Sequence, residues 1–234
     1  MAENHYLIIG DGRLAQHLLR YCRYLNLSVQ QWSRRLNQIS ELDHLLKRST
    51  HCLLAISDSS IHDFYQHNLS DHENLYCVHF SGALTHREID CAHPLMTFTE
   101  SDYSYDFYKK IHFVVSGVES LQELIPDFPN ASTQLFSAYK AQYHTACVIG
   151  GNFTTLMLTY FVQQMQSMNI PESAARLYID QIVENAFQNP EKALTGPLAR
   201  KDWQTIETNL KSLQGKPFEK IYETIVESTI GEKP

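Results

Sequence analysis

Residues Gly10-Asp11-Gly12-Arg13-Leu14-Ala15 end a short apolar run, Tyr6-Leu7-Ile8-Ile9, and lead into a helical pattern. This Gly-x-Gly-x-x-Ala turn suits a dinucleotide. Gly10 permits a tight turn out of a buried strand, Gly12 lets a pyrophosphate approach the backbone, and the small Ala15 lets helix and strand pack closely. The phosphates would rest on the helix N-terminus, where unpaired N–H groups point outward. Gly-rich turns also join strands to helices in proteins that bind no nucleotide, so the context decides. Leu14, Leu18, Leu19, Cys22 and Leu25 form the stripe of a helix packed on a sheet. Leu27 to Trp32 then reads as a second strand, and Ser33-Arg34-Arg35 follows it about 20 residues after the glycines, where the group meeting the adenine ribose stands. An NAD site wants a carboxylate there for the 2′-hydroxyl. A hydroxyl and two guanidiniums suit a 2′-phosphate, so NADP(H) is the expected cofactor, with Gly10, Gly12, Arg13, Leu14, Ser33, Arg34 and Arg35 as its ligands.

Chemistry needs a second set of groups. Lys140, His144, Gly151, Asn152 and Thr155 fall within an arc of roughly 120° when placed at about 100° per residue on one helix. Reduction of a carbonyl or imine by NADPH requires a proton or positive charge at the oxygen or nitrogen, which Lys140 or His144 can supply. Asn152 and Thr155 can orient a substrate. The pair Gly150-Gly151, costly inside a helix, leaves room for close approach and predicts a bend. A surface lysine and a satisfied histidine would give the same pattern. Farther on, Leu194-Thr195-Gly196-Pro197-Leu198-Ala199-Arg200-Lys201-Asp202 packs a hydroxyl, a guanidinium and a carboxylate into one short stretch. Thr195 can donate to a substrate and Arg200 can bind a carboxylate bidentately. Equally, Asp202 can sit at the start of the next helix, complementing its dipole and pairing with Arg200.

The elements that must position these groups follow from the apolar pattern. Further strands are expected at His51 to Ile56, Leu75 to Phe80 and Ile111 to Val115, with a shorter extended element at Ala92 to Phe98, where Pro94 holds His93 extended. Alternation of strands with helical stretches predicts a mainly parallel sheet. The third strand ends at Ser57-Asp58-Ser59-Ser60 and the fourth at Phe80-Ser81-Gly82. Ser57 and Ser81 are therefore candidate cofactor ligands at the carboxyl edge, although capping alone would justify Ser57. From about Ala131 the pattern becomes helical: one long helix from Leu135 to about Gln166, another starting at Ile170-Pro171-Glu172, a third over Trp203 to Leu213 and a last over Pro217 to Thr229. The expectation is an α/β dinucleotide-binding domain over 1–130 and an all-helical substrate or dimerisation domain over 131–234.

The 234 residues carry a formal net charge of −7, which offers no basic footprint for nucleic acid or an anionic membrane. No stretch reads as the roughly 18 apolar residues of a membrane span, and the first strand begins at once, so a cytoplasmic protein is expected. Cys22, Cys52, Cys77, Cys91 and Cys147 are widely spaced within apolar patterns and read as reduced, mostly buried thiols. The 12 histidines invite a metal reading, but His62, His67 and His72 lack ligand spacing on a clean helix, so no metal is expected.

The motifs Gly10-x-Gly12-x-x-Ala15, Phe80-Ser81-Gly82, His93-Pro94, Lys140-x-x-Tyr143-His144-x-Ala146, Asn152 and Leu194-Thr195-Gly196-Pro197-x-Ala199-Arg200-x-Asp202 run through nearly the whole chain. Together they resemble a family with a Rossmann-like NADP-binding domain and a helical C-terminal domain long catalogued as uncharacterised. That family groups with 6-phosphogluconate dehydrogenase, ketopantoate reductase and pyrroline-carboxylate reductase. The resemblance implies an NADPH-dependent reductase of a small 2-oxo acid, best ketopantoate (2-dehydropantoate) to pantoate in pantothenate and coenzyme A synthesis. It assigns Lys140 to polarising the ketone and Asn152 to substrate binding, and implies a homodimer paired through Leu156, Met157, Tyr160, Phe161 and Met165. The chain departs from the family pattern in carrying Lys201 where glycine usually follows the arginine. An imine reductase of the pyrroline-carboxylate reductase type and a non-catalytic NADP-binding sensor are the alternatives.

Overall fold

The computed structural model describes residues 3–231. Its centre is a seven-stranded sheet of order β2-β1-β3-β4-β5-β6-β7. The strands are β1 (His5–Ile9), β2 (Ser28–Trp32), β3 (His51–Leu54), β4 (Tyr76–His79), β5 (Asp90–Pro94), β6 (Phe113–Ser116) and β7 (Ser132–Gln134). All neighbours run parallel except β5 and β6. The expected mainly parallel, Rossmann-like sheet is present; β7, too short and polar to show an apolar run, has no signal in the sequence.

Side chains alternate between the faces of a strand, and both faces of this sheet are covered. Tyr6 and Ile8 enter one core with Ala15, Leu18, Leu19 and Cys22 of α1 (Arg13–Tyr24). Leu7 and Ile9 enter the other with Leu42 and Leu46 of α2 (Ile39–Lys47) and Ile61 of α3 (Asp58–Asn68). Two-sided burial explains why β1 and β3 read as continuous apolar runs. Two short helices, α4 (Tyr105–Lys110) and α5 (Leu121–Leu124), flank β6. Cys22, Cys52, Cys77 and Cys91 are buried free thiols, and Cys147 is half-buried.

After β7 a 3-10 turn, Ser137–Tyr139, opens a continuous helix of 31 residues to Ser167: α6 (Lys140–Cys147), a π-helical stretch Val148–Phe153, and α7 (Thr154–Ser167). The Gly150-Gly151 pair, where a bend is expected, lies within this π-helical stretch. With mean hydropathy 1.3 in its most apolar window, the helix is long and apolar enough to cross a bilayer, which corrects the expectation that no such segment exists. The small and aromatic residues that break up the apolar run in the sequence still lie on one unbroken helix.

The chain divides into two compact units, Met1–Thr155 and Leu156–Pro234. The change in composition suggested a division near 131. The segment after it belongs to the first unit because Lys140 and Tyr143 of α6 bond to groups of the sheet's carboxyl edge. The second unit holds most of α7, then α8 (Glu172–Gln188), α9 (Gly196–Arg200), α10 (Trp203–Leu213) and α11 (Glu219–Ile230). Between α9 and α10, Lys201 adopts φ +54° and ψ +40°. This left-handed conformation crowds a Cβ and is the usual place for glycine at a helix end. That geometry gives a backbone reason for the family's glycine at this position. Replacing Lys201 with glycine should stabilise the fold by about 1 kcal/mol and raise the thermal midpoint by roughly 2–4 °C. A melt that shifts downward would show that the lysine side chain offsets its backbone strain.

Candidate functional site

A cleft of about 1120 Å³ opens at the carboxyl ends of β1, β2 and β3. The chain passes from β1 to β2 on one side and to β3 on the other, so this is a topological switch point, where open α/β sheets bind ligands. Gly10 forms its floor with φ +121°, and an added Cβ would lie 2.3 Å from the Ala55 carbonyl oxygen. Its N–H donates to the Trp32 carbonyl at 2.8 Å, and its own carbonyl accepts from Gln31 Nε2 at 2.8 Å. Only glycine fits there. Gly12 is the N-cap of α1 in extended conformation, without a side-chain cap, and an added Cβ would meet nothing within 4 Å. The first turn of α1 carries no acidic residue. Its N–H groups thus border an open face suited to an anion.

Arg13, Leu14, Ser33, Arg34, Arg35 and Ser57 all line this cleft, as do Met96 to Phe98 and Asn152. Ser33 is committed locally: its hydroxyl accepts from the Leu36 N–H at 3.3 Å. Ser57 is the N-cap of α3, and its hydroxyl pairs with that of Ser60 at 2.8 Å. Arg34 makes no ion pair among the described residues, whereas Nε of Arg35 donates to the carboxylate of Asp11. That bond holds the Asp11 carboxyl below the usual carboxylate range.

Ser81, expected beside the cofactor, does not line the cleft. It is buried, and its groups organise a separate polar cluster at the end of β4. Its hydroxyl donates to Asp58 Oδ2 at 2.6 Å and accepts from the N–H groups of Ala83 and Leu84. Its carbonyl accepts from Lys140 Nζ at 3.3 Å and from the Cys91 thiol at 3.2 Å. Lys140 is only 3% exposed, and its amine points at this carbonyl. Next to it Nδ1 of His93 and the Tyr143 hydroxyl share a hydrogen bond of 2.7 Å. His93 and His144 both crowd Gly82: an added Cβ there would fall 2.8 Å from His144 Cδ2 and 3.0 Å from His93 Nε2. Burial pushes the Tyr143 phenol up. Burial first, then the neighbouring His144 and Lys140, lowers His93 to about 4. Burial and Lys140 lower His79, whose Nδ1 accepts from the Ser81 N–H, to about 3.

The structure therefore separates groups that the helical spacing placed on one face. Lys140 and His144 face the Ser81–His93 cluster, and Asn152 lines the cleft. What parts Lys140 from Asn152 is distance along the axis, twelve residues or roughly 18 Å at about 1.5 Å of rise, with the π-helical stretch Val148–Phe153 between α6 and α7. Asp11, Asp58, Gly82, His93 and Tyr143 were not singled out for a role by spacing. Three of them, Gly82, His93 and Tyr143, stand in motifs shared with the resembling family. In the helical unit Thr195 is the N-cap of α9 and Asp202 the N-cap of α10, where it accepts from the Thr205 N–H at 3.1 Å and hydroxyl at 2.8 Å. Asp202 is thus a helix cap. Arg200 makes no hydrogen bond or ion pair among the described residues.

Residues 114–229 match the model of DUF2520, a domain of unknown function. No curated protein sequence matches the chain. Among solved structures, a candidate NADP oxidoreductase from Bacteroides fragilis is 20% identical, with a TM-score of 0.78 over 97% of this chain and 98% of that one. An imine reductase variant from Myxococcus stipitatus in complex with NAD+ gives 14% identity and a TM-score of 0.56 over 99% and 96%. A reductive aminase from Aspergillus terreus in complex with NADPH and ethyl levulinate gives 11% and 0.59 over 100% and 97%. These likenesses establish the fold, a Rossmann-like sheet followed by helices.

Buried His51 and half-buried His86 are also held low, and in the Ser81–His93 cluster buried His79 and half-buried His93 make stability depend on pH. Both are held below the ordinary value of 6.5, so the unfolded chain takes up protons before the folded one does. Their neutral burial is fully accommodated above about pH 6.5, and stability falls as the pH drops toward 4, on the order of 1.4 kcal/mol per group per pH unit. Urea unfolding at steps between pH 7.5 and 5 should show this slope, and His93→Gln should reduce it. A flat profile over that range would mean that neither ring is buried neutral.

Proposed function

We propose that the chain is an NADPH-dependent reductase of a small 2-oxo acid, with 2-dehydropantoate as the leading substrate. The observation that carries the cofactor assignment is the cleft at the switch point, which joins the Gly10–Gly12 turn to Arg34 and Arg35. Gly12 leaves the helix N-terminus open to a pyrophosphate, and the two guanidiniums supply the charge a 2′-phosphate requires. Fold neighbours that carry NADP or NADPH in their descriptions support the same choice.

NADPH supplies hydride to the substrate carbon when bound; the chain's residues must place the substrate and deliver a proton. Asn152, on the cleft wall, is suited to hold a substrate oxygen by its amide. Lys140 polarises the reacting oxygen of a substrate that reaches from the cleft to the Ser81–His93 cluster, by exchanging acceptors: its 3.3 Å bond to Ser81 is at the long end for a hydrogen bond. His144 assists from the same cluster. A second reading is an imine substrate, whose already basic nitrogen needs less proton assistance than a ketone oxygen. Pairing of two copies through the apolar surface of α7 and α8 is also proposed. Leu156, Leu177 and Phe187 are more than half exposed there, a state that water disfavours.

Absorbance of NADPH with the purified protein separates the readings. NADPH-selective oxidation with 2-dehydropantoate supports the 2-oxo acid, and oxidation with pyrroline carboxylate alone supports the imine. Binding without turnover of any carbonyl or imine would leave a sensor. With the active substrate, Lys140→Ala should keep NADPH binding and lose at least about 100-fold in kcat/KM, the usual scale for proton assistance. Undiminished turnover would remove Lys140 from the chemistry.

A further inference from the structure

The turn that would receive the pyrophosphate carries an acid, Asp11, between its two glycines. That carboxylate is neither a cap nor part of the core: it faces the same cleft as Arg34 and Arg35 and binds the Nε of Arg35. The bond joins two loops, the β1–α1 turn and the segment after β2, across the part of the cleft flanked by the two arginines. Asp11 is held ionised by that pairing, and Arg35 is otherwise mostly exposed.

We propose that Asp11 is a specificity-determining residue that restrains the preference for NADPH over NADH. This rests on the dinucleotide reading of the cleft. The 2′-phosphate that distinguishes the two cofactors is close to dianionic at neutral pH, as phosphate monoesters are. It must draw on a guanidinium already answered by a carboxylate, and it comes to rest near that carboxylate's own charge. Of the two arginines, Arg34 alone offers an uncompensated positive charge. NADH carries only a hydroxyl at this position and neither needs Arg35 nor meets the repulsion. An ionised carboxylate between the glycines therefore penalises one cofactor and spares the other. It does so without touching the reacting end of either.

The consequence is measurable through Trp32, which lines the cleft and can transfer excitation to a reduced nicotinamide. Titrating the full-length protein with NADPH and NADH gives two dissociation constants for each variant. Asp11→Asn keeps an oxygen for the Arg35 Nε and removes the competing charge. It should tighten NADPH roughly fivefold, the scale of one exposed charge pair, and change NADH less than about twofold. Arg35→Ala should weaken NADPH at least about tenfold and leave NADH within about twofold. A structural role for Asp11 would move both constants together and leave their ratio unchanged. Unchanged or weaker NADPH binding by Asp11→Asn would overturn the proposal while leaving the cofactor cleft intact. If the unaltered chain bound neither dinucleotide, the cleft reading itself would fall, and the proposal with it.

Discussion

Where β1 ends, the α-carbon of Gly10 lies so close to the Ala55 backbone that an added Cβ would meet its oxygen at 2.3 Å. The same residue is bonded to Trp32 on its other side, and the Ala55 N–H donates to the Ile9 carbonyl at 2.9 Å. Three strands are thereby drawn together at one point, and the chain must leave the sheet with a positive φ that side chains resist. From this follow the direction of α1, the exposure of its first N–H groups and the distance to the loop after β2. A bulkier residue would part β1 from β3 and close the cleft in the same movement.

Ser81 plays the corresponding part at the end of β4. Its N–H, hydroxyl and carbonyl are all engaged, with His79, Asp58, the turn to Leu84, Cys91 and Lys140. Burying an ammonium costs several kcal/mol that a single carbonyl does not offset, and the Asp58 carboxylate bonded to the same serine brings an opposite charge into the cluster. The low values of His79 and His93 follow first from burial, which excludes water, and then from the neighbouring Lys140 and, for His93, His144. Neutral rings can both accept and donate, which is how His93 and Tyr143 come to share a proton between them.

Much of the sheet was legible because two-sided burial writes itself as apolar runs, and the Gly10–Ala15 turn because close approach admits so few residues. That Arg13, Leu14, Arg34 and Arg35 line one cleft followed from spacing along adjacent strands, which a parallel register preserves. Ser81 was placed at the correct edge of the sheet, but sequence position alone does not say whether a serine faces a ligand or its own turn. Asp11 drew no attention because an acid beside phosphates looks out of place until its partner is seen. His93 and Tyr143 lie 50 residues apart, and their pairing exists only through the fold.

The long helix shows why its candidate residues were misplaced relative to one another. A helical wheel records angle and leaves out distance along the axis, and it also passes over the change of winding at Val148–Phe153. That change sits at the two glycines, where the backbone resists a change of winding least. One helix can then serve two environments. Lys140 remains dry against Ser81, where exposure to the cleft would hydrate it and loosen the loop it holds. Asn152, about three turns on, remains exposed to the cleft, where burial would leave its amide without partners. Twelve residues at about 1.5 Å of rise put roughly 18 Å between them, and that distance along the axis lets one helix hold a buried amine near its start and a cleft-facing amide farther on.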